Sequence, residues 1–206
     1  MANASSFITI VSGLPRSGTS LMMQMLAAGG LPIFSDGARA PDESNPRGYL
    51  EHERVKRLKT ETDFSWLAGA RGRALKVIHL LLPYVPASYD CRVILMRRRV
   101  EEVLASQRAM LVRQGLPGAA LPDERLGQIL LAQLRQTEQW IDRSAGWPVL
   151  PVEYESLITN PAAEVERISA FLDLELDAAA MIATVDPRLW RQRPDAGFLT
   201  GCCRST

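Results

Sequence analysis

The sequence is poor in metal ligands. It holds two histidines, His52 and His79, and three cysteines, Cys91, Cys202 and Cys203. No C-x-x-C and no H-E-x-x-H pattern occurs, so no zinc or other metal site is expected. An odd cysteine count with two neighbours adjacent does not make a disulfide framework. It suits a reducing cytoplasm, which is the expected location. Long hydrophobic runs are missing too. The first apolar stretch, residues 7–11, is of strand length and follows no basic segment, so neither a leader peptide nor a membrane span is expected. Charge of one sign is also missing. Lys and Arg number 24 against 23 Asp and Glu, for a net charge of +1. Bulk attraction to nucleic acid or to an anionic membrane is therefore not implied, and any anion site must come from local clustering.

What is present suits one globular domain spanning 1–206. Hydrophobic residues make up 47% and charged residues 23% of the 206 positions, enough to build a core. The 13 prolines and 14 glycines are dispersed, so no low-complexity tract stands out. Residues 7–12 (Phe-Ile-Thr-Ile-Val-Ser) read as a buried strand. Residues 13–18 form a turn-rich loop, and 19–28 read as a helix stopped by Gly29 and Gly30. A short second strand is predicted over 31–34. A polar loop with Pro41 and Pro46 follows over 36–48, then a helix over 51–58. Further strands are predicted over 74–78, 91–96 and 149–152. Between the last two, Val100, Val103, Leu104 and Leu111 recur at helical spacing, as do Leu126, Leu130, Leu134 and Ile141. Asn160 and Pro161 open a last helix, with Asn as cap and Pro in its first turn. Residues 201–206 are expected to be a loose tail. Strands alternating with helices argue for an α/β, three-layer, P-loop-type fold with a mostly parallel central sheet flanked by helices.

The sharpest signal is the run Gly13-Leu-Pro-Arg-Ser-Gly18-Thr19-Ser20 between the first strand and the first helix. Glycines let the chain curl so that successive N–H groups form an anion nest. The helix N-terminus adds donors and a positive dipole end. Arg16 adds a planar fork suited to phosphate or sulfate, and Thr19 and Ser20 add hydroxyls. The loop departs from a nucleotide triphosphatase P-loop, because Thr19 stands where a lysine would span the β- and γ-phosphates. The strand over 91–96 closes on Arg97, Arg98 and Arg99 instead of on a magnesium-holding acid. Two basic sites and no obvious metal acid fit a ligand with phosphates at both ends.

These residues resemble the sulfotransferase superfamily that uses 3′-phosphoadenosine-5′-phosphosulfate (PAPS), in its small bacterial form. The resemblance runs from about residue 8 to about residue 176. Pro15, Arg16, Ser17, Gly18, Thr19 and Ser20 look like that family's 5′-phosphosulfate loop. Family members carry an arginine after a strand and a serine eight positions on, a pair that grips the 3′-phosphate. Arg98 and Ser106 have that separation. The segment Val152-Glu153-Tyr154-Glu155-Ser156 looks like the family's tyrosine-acid stretch and implies that Tyr154 lines the adenosine pocket.

The resemblance implies in-line sulfuryl transfer, with adenosine 3′,5′-bisphosphate (PAP) as the nucleotide product. Such a transfer needs a base near the phosphosulfate. His79 stands where small-molecule sulfotransferases place a histidine, although Lys76 precedes it by three positions where the family usually has two. Glu51 is the rival, since glycan-modifying members take a glutamate from this stretch. Lys76 would stabilise charge on the leaving phosphate. Arg188, Arg191 and Arg193, around Trp190, read equally as a surface cluster or an acceptor flap and are not counted in the site. The acceptor is expected to be a small molecule, lipid or sugar. Trp66, Leu80–Leu82 and Tyr84 are either its apolar lining or core. Two other readings stay open: a kinase or nucleotide hydrolase with a degenerate Walker loop, and a non-catalytic nucleotide-binding module.

Overall fold

A computed structural model describes residues 7–38, 48–118 and 121–191 of the chain. Pro41, Pro46, Arg193, Cys202, Cys203 and the 201–206 tail lie outside the described residues.

Four parallel strands form the centre: β1 (Ile8–Gly13), β2 (Ala74–Lys76), β3 (Cys91–Arg97) and β4 (Val149–Glu153). Their order is β2-β1-β3-β4. All six β1 residues are buried, as expected for an apolar, largely β-branched strand covered on both faces. Side chains alternate between the two faces. Ile8, Ile10, Val93 and Leu95 enter one core, while Val11, Ile94 and Met96 enter the other. The second of these cores is covered by α1 (Thr19–Ala28), α5 (Pro161–Leu172) and α6 (Ala178–Thr184). The first is covered by short 3-10 segments, through Val55, Leu58, Leu67 and Leu82, and by Ile141 and Trp147. A third cluster joins Leu14 to Val100, Val103 and Leu104 of α2 (Val100–Arg113). Leu126, Leu130 and Leu134 of α3 (Asp123–Trp140) pack against it. The short α4 (Tyr154–Thr159) follows β4 without a break.

The register aligns the strand ends that matter. Gly13 pairs with Met96, Met96 with Val152, and Arg97 with Glu153. The chain runs from β1 to one neighbour, β2, and then returns to the other, β3. The crevice above the carboxyl ends of β1 and β3 is therefore a topological switch point, where open α/β sheets bind ligands.

Some expectations are corrected. Residues 31–34 form no strand and make only a single bridge between Ile33 and Ala74. Pro32 accepts from the Ala74 N–H but has no N–H of its own to extend the ladder. The predicted helix over 51–58 is a 3-10 turn, Glu53–Arg57, opened by His52, whose ring nitrogen accepts from the Arg54 N–H. Asn160 precedes α5, but its side chain makes no cap bond. Leu80 and Tyr84 are exposed, while Leu82 belongs to the core. Among the described residues, no helix is long and apolar enough to cross a membrane.

Candidate anion-binding and catalytic site

The loop from Gly13 to Gly18 turns sharply between β1 and α1. Arg16 sits at φ 72, a left-handed conformation that is uncommon for arginine, and Gly18 sits at φ 103. Protein donors engage four of the loop's carbonyls, that of Gly18 through the Met22 N–H. The His79 ring nitrogen Nδ1 meets the Gly13 oxygen at 3.3 Å. The Ser17 N–H donates to Leu14 at 3.1 Å. Arg98 Nη1 donates to Arg16 at 3.1 Å. Tying up carbonyls keeps their negative ends from cancelling the positive end of α1.

The two basic sites foreseen in the sequence are joined. Arg16 Nε donates to Ser106 Oγ at 3.0 Å, across 90 positions. Arg98 and Ser106, expected as a pair, thus each bond to Arg16. Arg98 is nearly buried and makes three contacts. Its Nε donates to Glu102 at 2.9 Å, its Nη1 to the loop carbonyl, and its guanidinium lies 4.3 Å from the Tyr154 ring centre. Its Nη2 is buried without a protein partner. Ser17 Oγ, inside the loop, is likewise buried and unpartnered. Pro15 is exposed at the loop tip, and Thr19 is buried at the start of α1.

Tyr154 begins α4 and presses its ring on the loop. A Cβ on Gly18 would lie 2.5 Å from Tyr154 Cδ2. Burial, partly offset by the Arg98 charge, raises the Tyr154 hydroxyl above its ordinary pKa, so it stays protonated at neutral pH. Arg98, Arg99, Glu102, Glu153, Tyr154, Glu155 and Ser156 line a pocket at the ends of β3 and β4. Trp190 reaches it from the late segment. Its indole N–H donates to Glu102 at 2.8 Å, and its ring meets the Tyr154 ring edge-on. Glu102 and Trp190 were not among the sequence candidates. Glu102 looks in sequence like one acid of a charged helix start.

The catalytic candidates fall on two sides of the loop. Lys76, at the end of β2, is buried and donates to Ser20 Oγ at 3.0 Å, to the Tyr49 carbonyl at 3.3 Å and to Glu51 Oε1 at 3.0 Å. Glu51 is thus brought to the start of α1 through a lysine. His79 is 1% exposed. Its Nδ1 faces the Gly13 carbonyl, which can only accept, so this nitrogen carries the proton. Its Nε2 lies 3.2 Å from the side-chain oxygen Oε1 of Gln133 on α3, also unforeseen. Burial lowers the His79 pKa below the ordinary value, against the opposing pull of the Gln133 and Gly13 bonds.

Solved structures with a similar fold include several sulfotransferases. The sulfotransferase domain of the olefin synthase from Synechococcus PCC 7002 superimposes with a TM-score of 0.56 at 16% identity, over 92% of this chain and 88% of that one. A sulfotransferase from Alicyclobacillus acidocaldarius gives 0.51 at 17% identity, over 90% and 98%. The sulfotransferase STF9 from Mycobacterium avium gives 0.52 at 15% identity, over 94% and 70%. At such identities the likeness bears on the fold. No curated protein matches the chain significantly. The family model of the sulfotransferase domain, by contrast, matches residues 8–188, the whole of the sheet and both basic sites, and the chain therefore belongs to the sulfotransferase family.

Proposed function

We propose that the chain transfers a sulfuryl group from PAPS to a hydroxyl or amine of a small molecule, lipid or sugar, in line and without a metal. The observation that carries this reading is the joined pair of basic sites with two orphaned buried donors. Ser17 Oγ in the loop and Arg98 Nη2 beyond it lack protein partners, and an unpaired buried donor costs about 1–3 kcal/mol. A ligand with anionic groups at both ends would satisfy both. Loop N–H groups, Arg16, Ser17, Thr19 and Ser20 would hold the 5′-phosphosulfate. Arg98 and Ser106 would hold the 3′-phosphate, and Tyr154 would line the adenosine pocket. PAPS supplies the activated sulfuryl group.

Glu51 is the base in this reading. Its carboxylate takes the acceptor proton as the new oxygen–sulfur bond forms and the bond from sulfur to the bridging phosphate oxygen breaks. Lys76, bonded to both Glu51 and Ser20, offsets the charge left on that phosphate. His79 acts as an anchor: Nδ1–H donates to Gly13, and Nε2, the basic nitrogen, is turned to Gln133 inside the protein.

Glu51→Gln is expected to lower PAPS turnover by a factor of about a hundred or more while PAP binding persists. His79→Gln is expected to lose less turnover than that. A His79 variant that binds PAP normally but does not turn over, beside an active Glu51→Gln, would reverse the two roles.

A further inference from the structure

The segment that carries Glu51 is fixed at nearly every residue. The Tyr49 carbonyl accepts from Lys76. Leu50 sits at φ 51, in the left-handed region. A leucine persists there only where its surroundings over-determine the backbone. The Glu51 carbonyl accepts from the Asp36 N–H at 3.3 Å. The Glu53 N–H donates to Asp36 Oδ2 at 2.6 Å. Bonds from the Glu53 and Ala38 N–H groups lower the Asp36 pKa, so this carboxylate stays charged as the anchor.

Between those two anchor points, His52 joins a three-ring cluster in which Phe34 and Trp66 also meet, at 6.1 Å. Its ring lies 4.8 Å from Phe34 and 5.0 Å from Trp66, at interplanar angles of 17° and 22°. The Arg73 guanidinium lies over the Phe34 ring at 5.9 Å, and that of Arg54 over the Trp66 ring at 5.2 Å. Five planar groups therefore form one cluster. It ties three stretches together: Phe34 beside the sheet edge, the 49–57 stretch, and the 3-10 segment Ser65–Ala70. Phe34 is itself pinned to β2, because its N–H donates to Ala74 at 2.8 Å.

We propose that the Phe34–His52–Trp66 stack and the Asp36 carboxylate are a positioning device that holds Glu51 against Lys76 for proton removal. The proposal rests on Glu51 being the base. His52 and Asp36 act through the backbone on either side of Glu51. Stacked aromatic rings attract one another beyond the area they bury, which offsets part of the strain at Leu50.

The test uses the full chain, with PAPS and either water or 4-nitrophenol as acceptor, and hydrogen exchange of residues 49–57 as a second readout. His52→Ala is expected to lower kcat about ten- to a hundredfold, to leave KM for PAPS within about twofold, and to speed exchange in that stretch. His52→Phe keeps the stack and is expected to restore kcat. Asp36→Ala frees the Glu51 and Glu53 backbone, removes the carboxylate that lies 3.7 Å from His52 Nδ1, and is expected to give the same fall in kcat. Turnover lost in Glu51→Gln but intact in both His52→Ala and Asp36→Ala overturns the positioning role alone. Turnover that survives Glu51→Gln overturns the base assignment and this proposal with it.

Discussion

Gly18→Ala perturbs the loop at the point where Tyr154 closes on it. Two terms set the size of the effect. At φ 103 an added Cβ strains the backbone, a penalty of about 1–2 kcal/mol. The same Cβ would lie 2.5 Å from Tyr154 Cδ2 and 3.0 Å from Cε2, so the ring must move. Overpacking of this kind costs about 1–3 kcal/mol more. The sum is a loss of roughly 2–5 kcal/mol of stability. Gly30→Ala separates the terms. It has φ 92 but nothing within 4 Å of its added Cβ, so it reports the backbone penalty alone. Because Arg98 lies on the Tyr154 ring, moving the ring also disturbs the second basic site. Urea unfolding and PAP calorimetry on both variants read the two consequences. Gly18→Ala should be the less stable and should bind PAP more weakly than Gly30→Ala. Equal stability and unchanged PAP affinity in the two variants would refute the reasoning.

Two further outcomes follow from the buried polar groups. Glu102→Ala leaves Arg98 buried beside the loop without its carboxylate, where the two side chains are only 7% and 6% exposed. Urea unfolding should show a loss of about 3–5 kcal/mol, and a loss below about 1 kcal/mol would contradict the pairing. His79 has a folded pKa below the 6.5 it would have when unfolded. The unfolded chain therefore binds the extra proton first as pH falls. Stability present above pH 6.5 should be lost as pH drops towards the folded pKa, at no more than about 1.4 kcal/mol per pH unit. Urea midpoints between about pH 7.5 and about pH 5.5 should depend less on pH in His79→Gln, and an identical dependence would count against a buried neutral ring.

The parts legible in the sequence are those whose residues are neighbours in it. The loop from Gly13 to Ser20 declares itself because strand, turn and helix are contiguous. The spacing of Arg98 and Ser106 is likewise local, and so is the alternation that buries Ile8, Ile10 and Val11. What could not be read depends on distant pairings. Nothing in the sequence says that Ser106 meets Arg16 across 90 positions. Nor does it say that Glu102 holds Trp190, or that Gln133 meets His79. Lys76 was foreseen as a cation near the leaving group, but its bond to Glu51 was not, since the two are 25 positions apart and meet only when β2 lies beside β1. The stretch from Glu51 to Leu58 has helical spacing yet folds as a 3-10 turn. Its conformation is set by Asp36 and the His52 stack, both supplied by tertiary contacts.

The central claim is a donor site with two basic ends that needs no metal. Calorimetric titration with PAP, with and without EDTA and beside ATP–Mg²⁺, tests it most directly. The account predicts tight PAP binding that EDTA does not change and that weakens in both Arg16→Ala and Arg98→Ala. Absence of PAP binding, or a preference for ATP with magnesium, would contradict it.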